Sequence, residues 1–229
     1  MKRHLPAGKG RRFCIIGAGA ITTVGGRIKG EWVRDSVKVW ASDKAASADT
    51  DYHGNFNTEL FEQWFEKLCT TLASDYGDCN IMMDGAKYHK RDIDPTPAKQ
   101  KKKEIQVAWL VAHGVPASMK MKKKELTVLL DEHRTKPIYK AVVIAKKYHH
   151  HVLFSPPYHP ELQPIELIWA AIKNPIARNP ATGMNDLEKK IHGGVKAISS
   201  KDWMRAYRHV QNVEEEYMEA DDFGLLSTL

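Results

Sequence analysis

Ser155–Trp169 reads SPPYHPELQPIELIW, and four prolines fall within its first ten residues. Each proline locks φ and removes a backbone donor, so the stretch up to Gln163 is stiff and cannot be helix interior. Pro164 suits the first position of a helix. The sequence turns apolar there, and one acid, Glu166, falls in the first turn. A carboxylate at that place complements the positive end of the helix dipole. It is also a side chain fixed by a rigid lead-in, the setting that chemistry requires.

Upstream, HVLFSPP (151–157) predicts a last strand stopped by its prolines. CNIMMD (79–84) predicts another short apolar strand ending in Asp84, where Gly85 lets the chain turn away. As a bland reading, Asp before Gly is an ordinary turn residue. As a functional one, two carboxylates at the ends of rigid elements are the oxygen ligands that a hard cation such as Mg²⁺ takes together with a phosphate. Such a site can activate water against a phosphodiester.

Earlier still, RRFCIIGAGA (11–20) and GEWVRDSVKVW (30–40) predict two strands of a hairpin. Strand-then-GAGAIT imitates a dinucleotide fingerprint, but Thr22 stands where the third glycine belongs and turn and strand follow instead of helix. Residues 41–56 predict loop. Asn57 caps a helix that carries Leu60, Phe61, Trp64, Phe65 and Leu68. Helices follow around 100–112, around 122–133, from Pro137 to about Tyr148, from Pro164, from about Asn185, and from about Lys201 onward. Early strands with interleaved and then massed helices predict an α/β domain with a mixed sheet. His149, His150 and His151 point in different directions as consecutive residues, which is poor geometry for one metal ion.

The chain of 229 residues has 42% hydrophobic and 28% charged residues, which describes a globular domain rather than a disordered chain. Three cysteines without C-x-x-C spacing predict neither a disulfide framework nor a zinc cluster, and a reducing, intracellular setting is the simplest expectation. No apolar run is long enough to span a bilayer. The formal charge of +7 is unevenly placed. Residues 99–147 hold 13 Lys and Arg against 4 acids, a net +9, so the remainder is −2. That block can draw a polyanion by releasing its counterions, or it can merely solvate helix faces.

MDGAKYHKR (83–91) and LFSPPYHPELQPIELIWAAIKN (153–174) resemble the second and third catalytic blocks of DDE superfamily endonucleases, specifically the transposases of the mariner superfamily. GKGRRF (8–13) and DYHGNFNTELFEQWF (51–65) are similar to that family's early strand and following helix. The resemblance implies a ribonuclease H-like fold, a mixed sheet flanked by helices, with a helical insertion and a helical C-terminus. It implies that Asp84 and Glu166 are catalytic ligands of Mg²⁺, with Mn²⁺ as a substitute, and that the reaction is cleavage and strand transfer of DNA phosphodiesters. His89 would touch the substrate or Asp84. Tyr158, Ile165 and Trp169 would pack or position the block, as core more than contact. The implied partner is DNA, with no membrane and no small-molecule substrate. A homo-oligomer and a nuclear location are compatible with it. Two departures stand out. Gly85 replaces the usual Asn, and no acid precedes GKGRR where the first triad Asp belongs, so the expectation is a catalytic domain (1–229) that lacks its first strand. A catalytically silent DNA-binding remnant is the alternative, and a fragment with an exposed sheet edge is another.

Within the basic block, EIQVAWLVAHGVPASMKMKKKELTVLLDEHR (104–134) predicts two helices broken at His113-Gly114-Val115-Pro116. Residues 99–135 are similar to a SAP-type helix–loop–helix, a small DNA-binding motif. Lys120, Lys122, Lys123 and Lys124 would grip phosphates, which positions DNA without reading its sequence. The alternative is a packed helical hairpin with solvated lysines.

Overall fold

A computed structural model of the protein describes residues 12–42 and 56–226. The N-terminal MKRHLPAGKGR and most of the loop expected at 41–56, with its acids Asp43, Asp49 and Asp51, lie outside the described residues. The fold is mixed α/β. Strands β1 (Arg12–Ile16), β2 (Gly19–Val24), β3 (Arg27–Trp32) and β4 (Lys38–Ser42) form one long bent hairpin.

 

The hairpin reverses at Gly25-Gly26, both left-handed (φ 57° and 76°), which is the two-residue turn that matches strand twist. β2 pairs antiparallel with β3 from Gly19↔Trp32 to Val24↔Arg27, and β1 pairs with β4 from Ile16↔Lys38 to Arg12↔Ser42. Between the two ladders, Gly17 and Ala18 oppose the longer run 33–37, so the second arm bulges. The bulge is satisfied internally: Val33 N–H donates to Ala18 O (2.9 Å), and the buried Ser36 hydroxyl donates to Ala18 O (3.0 Å) and accepts from Ala18 N–H (3.2 Å). The first strand therefore runs past its expected end at residue 20, as far as Val24.

Alternation sorts the hairpin between two layers. Ile16, Ala18 and Ala20 pack with α1 (Thr58–Asp75) and α4 (Lys140–Lys147) around Phe61, Phe65, Leu68 and Ile144. Ile21 and Trp32 pack on the other side against α5 (Pro164–Arg178) and α7 (Ser200–Leu226), around Ile168, Ile172 and Trp203. This layer explains the glycines of GAGAIT. A Cβ on Gly19 would stand 2.1 Å from the Trp203 ring, and one on Gly30 would stand 2.3 Å from Trp203 Cβ. The glycines admit a tryptophan, not a phosphate.

β5 (Asn80–Met83) and β6 (His151–Phe154) form a separate parallel pair in the register Asn80↔His151 to Met83↔Phe154. Among the described residues no ladder joins this pair to the hairpin. Parallel strands need a long crossover. Here it carries α2 (Lys103–Ala112), α3 (Lys123–Glu132) and α4. α6 (Met184–Ala197) packs on α5.

Local chemistry sets most helix ends. Asn57 Oδ1 accepts from Leu60 N–H (2.9 Å) at the start of α1. α2 ends in a Schellman motif with Gly114 left-handed, Val115 N–H donating to Leu110 O and Gly114 N–H to Val111 O. α4 ends the same way with left-handed His149, as His150 N–H reaches Ala145 O and His149 N–H reaches Lys146 O. One expectation fails here. Pro137 does not open α4, which begins at Lys140. Residues 138–139 are held extended by the Asp92↔Tyr139 bridge and by Ile93 N–H donating to Ile138 O (3.0 Å). The histidine triplet is structural at its centre: His150 is buried between Cys69 O (2.9 Å) and Cys79 N–H (3.2 Å).

Candidate nuclease site and basic hairpin

Both chains of the parallel pair leave at the same end. Asp84 follows β5 directly, and Ser155 follows β6 directly. In open α/β folds the crevice outside the carboxyl ends of strands is where ligands bind. A short hydrogen-bond chain crosses this end. Ser155 N–H donates to Met83 O (2.9 Å), continuing the ladder by one rung. The Gln163 side-chain amide then donates to Ser155 Oγ (2.8 Å). Gln163 is the residue before Pro164 at the start of α5, and Glu166 N–H donates back to Gln163 O (3.1 Å). The helix carrying Glu166 is thereby tied to the strand end carrying Asp84. Glu166 itself is exposed.

Asp84 sits above the one-turn helix Lys87–His89. Its Oδ1 accepts from Ala86 N–H (2.9 Å) and lies 2.7 Å from His89 Nδ1. His89 is the more enclosed partner, its ring 4.4 Å from that of Phe61. The hydrogen bond from His89 holds the Asp84 carboxyl below its ordinary range, against the opposing effect of burial; Ala86 N–H and the Lys90 ammonium add to the lowering. Lys90 folds back over the strand end. Its Nζ is 4.8 Å from the centre of the Phe154 ring and would be 2.8 Å from a Cβ at position 85. Gly85 thus leaves the space that Lys90 uses.

The segment between Ser155 and Pro164 is held at its far side by α7. His159 Nδ1 is 2.7 Å from Glu161 Oε1, and the Tyr217 hydroxyl donates to the same oxygen (2.8 Å). The His159 bond is the main reason that the Glu161 carboxyl is lowered to about 2. Ile165 and Trp169 pack on the tryptophan layer. Tyr158 does not join them. It is 98% exposed, because a left-handed backbone (φ 66°) turns it away from the core.

The donor set at the strand end fits a hard divalent cation in kind. Asp84 and Glu166 offer carboxylate oxygens, and both hydrogen bonds received by the Asp84 side chain fall on Oδ1. In number it is lean, for no group of three His, Cys, Asp or Glu side chains able to hold a metal occurs among the described residues. Asp35, which lies in the second expected strand, sits in the bulge beside Arg34.

The basic segment has its own core. α2 packs chiefly on α3, around Trp109, Leu110, Val115, Leu126 and Leu130. Trp109 Nε1–H donates to Asp94 Oδ1 (3.1 Å), and His113 Nε2 lies 2.7 Å from Asp94 Oδ2. α3 opens with Glu125 accepting from Lys122 N–H (2.8 Å). Lys120, Lys122, Lys123 and Lys124 are all exposed, and among the described residues none of them forms an ion pair. Cations in a first helical turn oppose the helix dipole. Of this cluster, Lys123 and Lys124 lie in the first turn of α3, Lys122 is its N-cap and Lys120 precedes it.

The family model of the DDE superfamily endonucleases matches residues 23–187. The match covers most of the chain, both acids and the basic hairpin, and the protein belongs to that family. No curated protein and no solved structure matches it. Among the described residues no helix is long and apolar enough to cross a membrane.

Asp84 directly after a strand, Glu166 in the first turn of a helix and the lysines at a helix start all lie where the sequence predicts those elements. Sequence reasoning missed the Ser155–Gln163 tie, the return of Lys90 over Gly85 and the reach of Tyr217. Each depends on a side-chain direction, for which residue type and spacing carry no signal.

Proposed function

We propose that the protein is a nuclease of transposase type, of the mariner superfamily and ribonuclease H-like in fold, that cleaves and transfers DNA strands at the carboxyl end of β5 and β6. The observation that carries this reading is the tie of the Glu166 helix to the Asp84 strand end through Ser155 and Gln163. Asp84 and Glu166 would hold Mg²⁺, or Mn²⁺ in its place. The ion, when bound, supplies charge stabilisation at the phosphate and a more acidic water. The chain's own part is positional. His89 keeps Asp84 ionised and aimed, and the proline lead-in with Gln163 orients Glu166. In the reaction a water oxygen bonds to phosphorus as one P–O ester bond breaks, and the departing oxygen takes up a proton. In strand transfer a DNA hydroxyl replaces the water.

The basic segment 99–135 would act as an insertion that grips DNA, with Lys120, Lys122, Lys123 and Lys124 on phosphates. Their exposure and, among the described residues, their lack of ion-pair partners support that role. Such a protein works on nuclear DNA. A second reading, DNA binding without cleavage, is favoured by one observation: no third carboxylate joins the two acids among the described residues.

Thermal melting separates the readings. Under the first, millimolar Mn²⁺ raises the Tm of the wild type, because a ligand that binds only the folded state stabilises it, and Asp84→Asn removes the shift. A melting curve indifferent to Mn²⁺ leaves the second.

A further inference from the structure

Three non-glycine residues among those described have a left-handed backbone: Asp35, His149 and Tyr158. Two are explained by the fold. Asp35 turns the hairpin bulge, and His149 occupies the left-handed position of the α4 Schellman motif. Asp and His are also among the residue types enriched in that conformation, whereas Tyr is not. Among the described residues Tyr158 has no side-chain partner to offset its strain: its side chain is 98% exposed, and no other large apolar residue described exceeds 70%. Backbone strain without local recompense is characteristic of functional positions.

The surroundings hold the backbone at this position, so the ring is presented to solvent. Pro156 and Pro157 precede it and Pro160 follows. On one side Ser155 is anchored to Met83 O and to Gln163. On the other, His159 is held by Glu161 and lies 3.2 Å from the Tyr217 hydroxyl. A ring carried on a backbone held on both sides loses less freedom when it binds than one on a free loop. It stands three residues beyond the strand end at Ser155 and eight before Glu166, on the segment that joins them.

We propose that Tyr158 is a stacking platform for an unpaired nucleobase next to the phosphodiester that is cut. The proposal rests on the DNA-cleavage reading of this site and adds a contact to it. A flat π-face takes any base, so the contact tolerates sequence and requires only that the base leave its stack. The chain's net charge of +7 and the lysine cluster of α3 bring the polyanion, and the ring adds a contact that salt does not screen.

The test is DNA affinity by fluorescence anisotropy in EDTA, across a salt series, with a fluorescent duplex bearing a short single-stranded flap and with the same duplex blunt. Wild type prefers the flap. Tyr158→Ala weakens flap binding roughly 5- to 150-fold, the worth of one base–aromatic stack, with blunt binding and the salt slope unchanged. Tyr158→Phe stays near wild type, and neither variant melts lower. Equal flap affinity in Tyr158→Ala and wild type, no flap preference in wild type, or parallel loss on flap and blunt DNA each overturns the proposal. No cleavage is needed for this measurement, so a wild type that stacks flap DNA but fails to nick plasmid would sink the nuclease reading and leave the platform standing.

Discussion

The carboxylate end of the β5–β6 pair and the α2–α3 hairpin are built by opposite means. The first has little apolar core of its own. It is held by hydrogen bonds, some between distant segments (Ser155 N–H to Met83 O, Tyr217 to Glu161) and some local (Gln163 to Ser155, His89 to Asp84). The second is a small apolar core closed on itself, and among the described residues Lys120, Lys122, Lys123 and Lys124 on its surface form no ion pair. Under the nuclease proposal a carboxylate has to meet one phosphate, which calls for precision, and a hydrogen-bonded frame supplies it. Attraction to a polyanion needs only charge on a stable support.

Five variants bear on that contrast. The largest effect belongs to the strand end. Asp84→Asn reduces metal-dependent nicking to background while DNA affinity stays within twofold, measured by plasmid assay and gel shift. If affinity falls equally, the two regions are not separate. Next comes Leu126→Ala in the hairpin core. Leu126 is fully buried, so the change costs about 2–5 kcal/mol of the hairpin's stability, read by urea denaturation, and weakens DNA binding with it. Third, changing Lys120, Lys122, Lys123 and Lys124 together to Gln lowers the slope of log affinity against log salt by about 3–4, near 0.9 for each lost phosphate contact. Nicking at saturating DNA survives. An unchanged slope removes the hairpin from DNA binding.

The smallest effect is one of pH. The folded Glu161 carboxyl titrates at about 2, below its ordinary 4.5. The folded state therefore binds fewer protons than the unfolded one, and the stabilisation is present above about 4.5 and lost as pH falls toward 2. Asp84 is lowered in the same direction by His89. Glu161→Gln makes stability less steep in this acid window and leaves neutral pH nearly unchanged. His89→Ala frees Asp84 to take a proton at higher pH, so the acid limb of nicking moves upward. An unmoved limb would show that His89 does not hold Asp84.

Much of this was legible in the sequence because it is local. The Asn57 cap, the stop at His113-Gly114, the helix from Pro164 and the strand before Asp84 each follow from propensity and turn chemistry acting over a few residues. The α4 boundary was not, since Pro137 is overruled by an extended pairing with residues 92–93, more than forty positions away. Tyr158 was misread for a related reason. An aromatic in an apolar block is expected inside, and only the sign of φ sends it outward. GAGAIT could be refused as a phosphate loop from its missing third glycine, but the cause of its glycines, the ring of Trp203, lies some 180 residues along the chain.

The most direct test is to incubate the protein with supercoiled plasmid and Mn²⁺ beside a Glu166→Gln control. Nicked circles with wild type and none with the variant are the predicted result. Retarded but intact plasmid with both proteins would contradict the nuclease assignment and leave a protein that binds DNA without cutting it.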